Sequence, residues 1–446
     1  MKQKKDYIPV IGLEIHVELK TNSKMFCSCS ADHFRVKPNT HTCPVCLGLP
    51  GSLPVPNRKA IKWCQKIGLA LGGRLKKFSK FDRKNYFYPD LPKGYQISQY
   101  DQPLSVKGEV KLTSGKRIGI TRVHMEEDTG KLIHKKLKSQ SVSLIDFNRS
   151  GVPLVEIVSE PDISSAEEAD EFLKIVQQII RYLQKISDCD MEKGSMRLEV
   201  NLSLAQSEGD LPDYKVEVKN INSFRFVRKA IEHESERQAS LLNQGITPTQ
   251  ETRGYDEKSG RTKSQRSKEQ VDDYRYFPEP DIPPMKFSQK EIDQLKVNLP
   301  ELPRQKRERF EKVYQLTTDL ARILTKTREL AEYFERAAIE AKKNQVAHLE
   351  IAKEIVNRKI NPNLITANQL VLRIKRKSSG LIKAKKTLAS LAKNAIKTSP
   401  SVARDYRAGK TQALDRLIGE VMKLSKGKAS PQTTRQILVE LLQGKV

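Results

Sequence analysis

From Val10 to Leu19 the chain reads Val-Ile-Gly-Leu-Glu-Ile-His-Val-Glu-Leu. Successive side chains of a strand point to opposite sides, so Leu13, Ile15, Val17 and Leu19 share one face and Glu14, His16 and Glu18 the other. Two further alternating runs, Met196–Leu202 and Lys215–Lys219, flank a loop containing Gly209, Asp210 and Pro212. They predict a hairpin with charged side chains along one face. After Asp162 the period changes. Ser164 with Glu167 predicts a capping box, and Phe172, Val176, Ile179, Leu183 and Ile186 recur at helical spacing as a core stripe. Residues 8–285 therefore read as mixed strands and helices.

Between Phe277 and Pro303 lie Pro278, Pro280, Pro283, Pro284, Pro300 and Pro303, and proline breaks regular structure. A domain boundary is expected there. Residues 304–370 look all-helical, and a second boundary is expected near Lys377-Ser-Ser-Gly380, followed by a basic helical stretch. One core rarely grows past roughly 250–300 residues. The expected division of the 446 residues is an α+β domain at 1–290, a helical domain at 291–374 and a basic helical tail at 375–446.

Charge sharpens this picture. The formal net charge is +27, which points to a polyanionic partner, and nucleic acid fits best because the charge is uneven. From Val371 to Val446 there are 18 Lys and Arg against 4 Asp and Glu. No stretch approaches the ~20 apolar residues of a membrane span, and the basic start MKQKKDYIPVIG lacks the apolar run of a signal peptide. A cytoplasmic location is expected. No phosphate-binding G-x-x-x-x-G-K-[ST], dinucleotide G-x-G-x-x-G, nucleophile-elbow G-x-S-x-G or zincin H-E-x-x-H pattern is present. Any ATP site is therefore not a P-loop.

Three groups of residues carry candidate chemistry. Cys27-x-Cys29 followed by Cys43-x-x-Cys46 can bring four thiolates to one structural zinc; four unrelated reduced cysteines are the alternative. Cys64 and Cys189 read as packing residues. Acidic residues form the second group: Glu14 and His16 on one strand face, His124-Met-Glu-Glu-Asp128, and Glu156 inside the apolar run Val152–Val158. Oxygen ligands with an imidazole suit Mg²⁺ or Mn²⁺, although each carboxylate alone could be solvated or salt-bridged. The third group is basic and aromatic: Arg83–Ser98, Lys219–Arg225, and Arg266–Glu269 with Asp272–Pro278. Such loops bind phosphates, ribose or bases, or are simply ordered loops. Lys84, Lys93, Arg149 and Lys219 are the candidate cofactor-binding cations.

GLEIHVEL at 12–19, LGLPGSLPVPN at 47–57, FDRKNYFYPDLPKGYQISQYDQP at 81–103 and HMEEDTGK at 124–131 resemble the B subunit of the tRNA-dependent amidotransferase. So do NRSGVPLVEIVSEPDI at 148–163, EVKNINSFRFVRKAI at 217–231 and DDYRYFPEPDIPP at 272–284. The stretch VARDYRAGKTQALDRLIGEVMKLSKGKASP resembles the YqeY-like C-terminal domain of that family. The resemblance runs from end to end. It implies a cradle-like α+β catalytic domain with a mixed or antiparallel sheet, then an all-α domain and a basic YqeY-like tail that binds tRNA. It implies a heterotrimer with a glutaminase A subunit and a small C subunit.

The implied reaction uses ATP to phosphorylate the side-chain carboxylate of mischarged Glu-tRNA(Gln) or Asp-tRNA(Asn). Ammonia from the A subunit then displaces phosphate, giving Gln-tRNA(Gln) or Asn-tRNA(Asn). A carboxylate is a poor electrophile and an acyl phosphate a good one, so the transfer needs Mg²⁺ on the phosphate oxygens. The resemblance implies catalytic roles for Glu14, His16, Glu126, Glu127 and Glu156, with Glu14, His16, Glu126 or Glu127, and Glu156 holding Mg²⁺; Glu127 is the expected ligand of its pair. Zinc occurs in only some branches of the family, and this chain keeps all four cysteines. Glu199 stands where many members carry aspartate. A metal-dependent nuclease and a non-catalytic RNA-binding scaffold are the competing readings; ATP use that depends on mischarged tRNA separates the first reading from both.

Overall fold

The computed structural model describes residues 7–137, 140–267, 274–379 and 384–443. Contacts divide the chain into two compact units, Met1–Lys306 and Arg307–Val446. In the first unit the strands are β1 Ile8–Glu18, β2 Arg74–Leu75, β3 Phe78–Ser79, β4 Asp82–Asn85, β5 Tyr95–Ser98, β6 Ser105–Lys111, β7 Arg117–Glu127 and β8 Lys131–Leu137. They continue with β9 Gln140–Asp146, β10 Pro153–Ser159, β11 Met196–Ala205, β12 Val216–Ile221, β13 Glu251–Asp256, β14 Arg261–Ser267, β15 Phe277–Pro278 and β16 Met285–Lys286. Helices α1 Arg58–Ala70, α2 Ala166–Tyr182, α3 Phe224–Asn243 and α4 Gln289–Val297 complete the unit.

The main sheet has nine strands in the order β14-β13-β12-β11-β1-β10-β7-β6-β2. It is mixed. β1 lies antiparallel between β10 and β11, β11 and β12 form the expected hairpin, and β12 runs parallel to β13 across the α3 connection. Leu13, Ile15 and Val17 are buried with Val123, Met125, Val155, Ile157, Leu198 and Val200 in one core, together with Ala60, Ile61 and Cys64 of α1, Phe172, Leu173 and Val176 of α2, and Val227 and Ile231 of α3. The helices thus cover one face of the sheet. Because the strand period is two, the opposite face receives Glu14, His16, Glu18, Glu156, His124 and Glu126.

Helix α2 starts one residue later than its pattern suggests. Ser165 is the N-cap and accepts from the Glu168 amide, while the Glu168 carboxylate accepts from the Ser164 amide. The Ser164/Glu167 pair is displaced because Ser165 and Glu168 satisfy the same three-residue spacing and bring Ala166, Ala169, Phe172 and Leu173 onto the core. The helix ends at Tyr182, so Ile186 is buried from beyond it, and Ile180 joins the stripe in which Ile179 and Leu183 are only half-buried.

Helix α4 packs on α1, which carries the first unit past residue 290 to Lys306. From α4 onward every element among the described residues is a helix: α5 Pro303–Tyr314, α6 Thr318–Leu324, α7 Arg328–Asn344, α8 His348–Asn357, α9 Ala367–Ser379, α10 Lys385–Thr398, α11 Pro400–Arg407, α12 Ala413–Leu424 and α13 Pro431–Leu442. The second unit contains two cores. One gathers Phe310, Phe334, Ala337, Ala341, Ile351, Leu370 and Val371, and the other Leu388, Ala392, Leu414, Leu417, Val421 and Leu438. Ser378 and Ser379, expected in a linker, close helix α9, and Gly380 lies outside the described residues. No helix among the described residues is long and apolar enough to cross a membrane.

Candidate functional site

The polar face of the sheet carries two acidic clusters in neighbouring rows. The register sets Glu14 beside Glu199, His16 between Glu156 and Arg197, and Glu156 beside His124. In the first cluster His16, Glu126 and Glu156 offer ligand atoms within 4.8 Å of one another. His16 Nε2 stands 3.5 Å from Glu156 Oε2 and 3.8 Å from Glu126 Oε2. His124 Nε2 stands 3.2 Å from the same Glu156 oxygen, and its buried Nδ1 has no partner among the described residues. Ser98 Oγ donates to Glu126 at 2.7 Å and Gln96 Nε2 at 3.3 Å, which fixes that carboxylate. In the second cluster Glu14, Glu199 and Glu217 converge within 4.8 Å. Asn201 Nδ2 donates to Glu14 at 2.8 Å, and Lys219 Nζ lies 3.2 Å from Glu199 and 3.5 Å from Glu217.

The electrostatics follow from this crowding. Burial disfavours charge on His16, but its hydrogen bond to Glu156 and the carboxylates around it push its pKa up to about 9. Burial and the charges of Glu156 and Glu199 raise the Glu14 carboxyl. Burial opposes ionisation of Glu156 too, yet His124 and His16 hold it well below the usual carboxylate range. Glu126 is likewise held low, against its burial and the Glu156 charge, by Lys84 and His124. Carboxylates gathered this closely around an imidazole form a donor set that fits a hard divalent cation, which would relieve their repulsion.

One wall of the site is aromatic and basic. Lys84 is desolvated, but Glu126, Tyr276 and Glu156 keep its pKa high, and its ammonium lies 4.9 Å from the Tyr274 ring. Tyr276 stacks on Tyr100 at 4.4 Å, and burial raises its hydroxyl to about 12. On the same strand as His124, the half-buried Arg122 has an enclosed Nε with no partner among the described residues. The Arg266–Glu269 and Asp272–Asp273 portions of the basic loops fall on or beside residues 268–273, which lie outside the described residues.

The expected single set of Glu14, His16, Glu127 and Glu156 is not brought together. Glu127 follows Glu126 on β7 and so turns to the other side, where Lys93 Nζ meets it at 2.6 Å and the Ile97 amide at 3.0 Å. Glu14 sits with Glu199 and Glu217 instead. Of the four candidate cations, Lys84 and Lys219 stand at the acidic clusters. Lys93 is held by Glu127, and Arg149 lies 3.6 Å from Asp128 and donates to the Thr129 and Gly130 carbonyls. Asp128 is also bound by Arg197, so these charges brace the loop after β7. Sequence reasoning passed over Glu217, Asn201 and Arg122. Glu217 and Asn201 lie in the two alternating runs and share the parity of their charged residues, which was the available signal.

The four cysteines do converge. Cys27, Cys29, Cys43 and Cys46 place their sulfurs within 4.8 Å of one another, and all are free thiols. Ligands at ~2.3 Å from one zinc lie roughly 3.8 Å apart, so the spacing fits. The Cys43 amide donates to Cys46 Sγ at 3.2 Å, and the buried Lys24 Nζ lies 3.6 Å from it. The hydrogen bond from Cys27, with the Lys24 charge, lowers the Cys46 thiol to about 4 against its burial. Gly48 in the adjoining loop has φ +67°, and a Cβ there would meet Lys93 Cγ at 2.3 Å, so the loop presses directly on the Lys93–Glu127 pair. Cys64 and Cys189 are buried in the core, away from this cluster.

Residues 9–293 match the family model described as the GatB/GatE catalytic domain, and residues 310–442 match one described as the GatB domain. The chain is similar to the aspartyl/glutamyl-tRNA(Asn/Gln) amidotransferase B subunit of Thermotoga petrophila, at 42% identity over 98% of this chain and 99% of that protein. Proteins of the same name from Roseiflexus castenholzii and Thermoanaerobacter pseudethanolicus are each 43% identical, over 98% of this chain and 99% of their own length.

Proposed function

Since this chain belongs to the GatB/GatE family of amidotransferase B subunits, we propose that it is the subunit in which ATP activates the side-chain carboxylate of mischarged Glu-tRNA(Gln) or Asp-tRNA(Asn) for amidation. The observation that carries this reading is the row of carboxylates around His16 on the polar face of the sheet. His16, Glu126 and Glu156 would hold one Mg²⁺ and Glu14, Glu199 and Glu217 a second divalent cation, neutralising the phosphate oxygens of ATP during transfer. Gln96 and Ser98 orient Glu126, and Asn201 orients Glu14, so neither carboxylate has to reorganise when charge arrives. Lys84 and Lys219 offer the positive charge that meets phosphate at the two clusters. The tyrosine wall shields the acyl phosphate from hydrolysis until ammonia displaces phosphate from the carboxyl carbon.

The ammonia is supplied by an A subunit that hydrolyses glutamine, joined by a small C subunit in a cytoplasmic heterotrimer. Zinc occupies the cysteine cluster as a structural ion, since four thiolates leave no open position. The test is reconstitution with A and C partners, ATP, Mg²⁺, glutamine and each mischarged tRNA. The expected result is ADP release together with Gln-tRNA or Asn-tRNA. ATP-independent RNA cleavage, or tRNA binding without ADP release, refutes the reading.

The residues from 375 onward form the tRNA-gripping tail in this reading, because they carry much of the excess charge on a helical core of their own. Deleting them is expected to weaken tRNA affinity on the order of tenfold or more and to flatten its salt dependence. Glutamine hydrolysis without tRNA should persist. Filter binding across a salt series measures this, and unchanged affinity counts against it.

A further inference from the structure

On the helix-covered side of the sheet, α1, α4 and the segment Met285–Phe287 bound a cleft of about 1030 Å³. Its chemistry is unlike that of the acidic site. Arg58, Lys59, Lys62, Lys66 and Lys286 surround it, and Glu291 is the single carboxylate in its lining. Among the described residues none of these five cations forms a salt bridge. Trp63, the one tryptophan of the chain, is half-buried in the wall. No aromatic side chain among the described residues stacks on it, and the end of the exposed Lys59 lies 4.7 Å over its ring. Gln65 also lines the cleft. It is only 2% exposed, and its enclosed Nε2 has no acceptor among the described residues. A buried amide donor without a partner is costly, and turning it onto an acceptor that arrives in the cleft would relieve that cost.

We propose that this cleft binds a nucleotide, with phosphate on the lysine and arginine rim, the base against Trp63, and a ring nitrogen or carbonyl of the base accepting from Gln65. Cations beside an indole are the means by which unpaired nucleotides are held, and the volume accommodates a base, its ribose and phosphate. An aliphatic ligand leaves the five charges unmet. An acidic peptide meets the charges and has no flat ring for Trp63. The site is separate from the acidic clusters, because α1 lies on the opposite side of the sheet from His16 and Glu14, and it does not depend on the reaction proposed above.

Trp63 is its own reporter. The full-length chain, zinc-loaded and with no Mg²⁺ or Mn²⁺ added, so that the acidic clusters lack their cations, is titrated with AMP, with a short oligoribonucleotide and with oligoglutamate. Saturable quenching by AMP supports the proposal and assigns a free nucleotide. Quenching by the oligoribonucleotide alone supports it and assigns an RNA strand. The surface double variant Lys59→Glu/Lys62→Glu should weaken binding at least about tenfold with its melting temperature unchanged. Gln65→Leu, which removes the amide and keeps the side-chain bulk, should weaken binding of the base-bearing ligand and leave inorganic pyrophosphate competition intact. No change in emission with either nucleotide ligand overturns the proposal. So does quenching by oligoglutamate of equal strength, or undiminished affinity in the double reversal.

Discussion

Replacing Glu156 with alanine abolishes tRNA-dependent ADP release and amide formation, by on the order of 10²–10³-fold or more, while tRNA binding persists. Glu156 stands between His16 and His124 and is one of three ligand candidates in its cluster, so its loss removes a ligand and leaves the two imidazoles with Glu126 alone. The expected magnitude is that of removing a preorganised electrostatic partner of the transition state. Phosphate contacts made elsewhere are expected to dominate tRNA affinity and to be untouched by this change. The neighbouring pair on β7 supplies the sharper contrast. Glu126→Gln should remove the Mn²⁺ of the His16 cluster, seen by electron paramagnetic resonance as the loss of one of two bound ions, and Glu127→Gln should leave it in place, because only Glu126 faces His16. Near-normal ADP release by Glu156→Ala with an intact fold, or loss of Mn²⁺ in Glu127→Gln alone, places the ion elsewhere.

The same site carries a pH dependence. A metal binds neutral imidazole, and His16 holds its proton up to about pH 9 in the free protein. Cation affinity should therefore fall as pH drops below 9 and level off above it, and His16→Gln should remove this slope. The sign for the metal-free fold is opposite. A raised histidine pKa contributes stability that is fully present below the ordinary value of 6.5 and is lost as pH rises through 9. Calorimetric titration with Mn²⁺ at several pH values measures the first effect.

Removing zinc, or changing Cys46 to serine, is expected to lower stability by several kcal/mol and the melting temperature on the order of 10 °C. The chain between Glu18 and Arg58 has neither helix nor regular strand, only an isolated bridge of Ser23 to Ser30. A connection of that length holds its shape only when something ties it. Here the four sulfurs tie it internally, Asn57 binds Ser23 and Lys24, and Asn39 binds Ile145 and Phe147. Without the ion the four sulfurs take up protons and no bond ties them, so the loop opens and protease should nick it between residues 27 and 46 before the rest of the unit unfolds. Elemental analysis, thermal melting and limited proteolysis of stripped and reconstituted protein check this together. A metal-free protein that melts and resists protease as the zinc-loaded one does would overturn it.

Much of this was readable from the chain itself, and the reason is that the relevant physics is local. The period-two pattern at Val10–Leu19 defines a strand with one polar face, whatever it pairs with. The two alternating runs around Gly209 and Pro212 lie close enough to pair as a hairpin, and the paired cysteines, all within residues 27–46, need only one loop to meet. What the chain alone left open was the phase of one strand against another. Glu126 and Glu127 are equivalent in sequence, and β7 must be docked beside β10 before one faces His16 and the other Lys93. Glu14 and His16 share a face of β1, yet they belong to different clusters, because β11 and β12 supply Glu199 and Glu217 on one side and β10 and β7 supply Glu156 and Glu126 on the other. Lys93 and Arg149 are as basic as Lys84 and Lys219, and only the tertiary placement of Glu127 and Asp128 commits them to ion pairs. Those placements depend on contacts between residues far apart in the chain, and no local period encodes them.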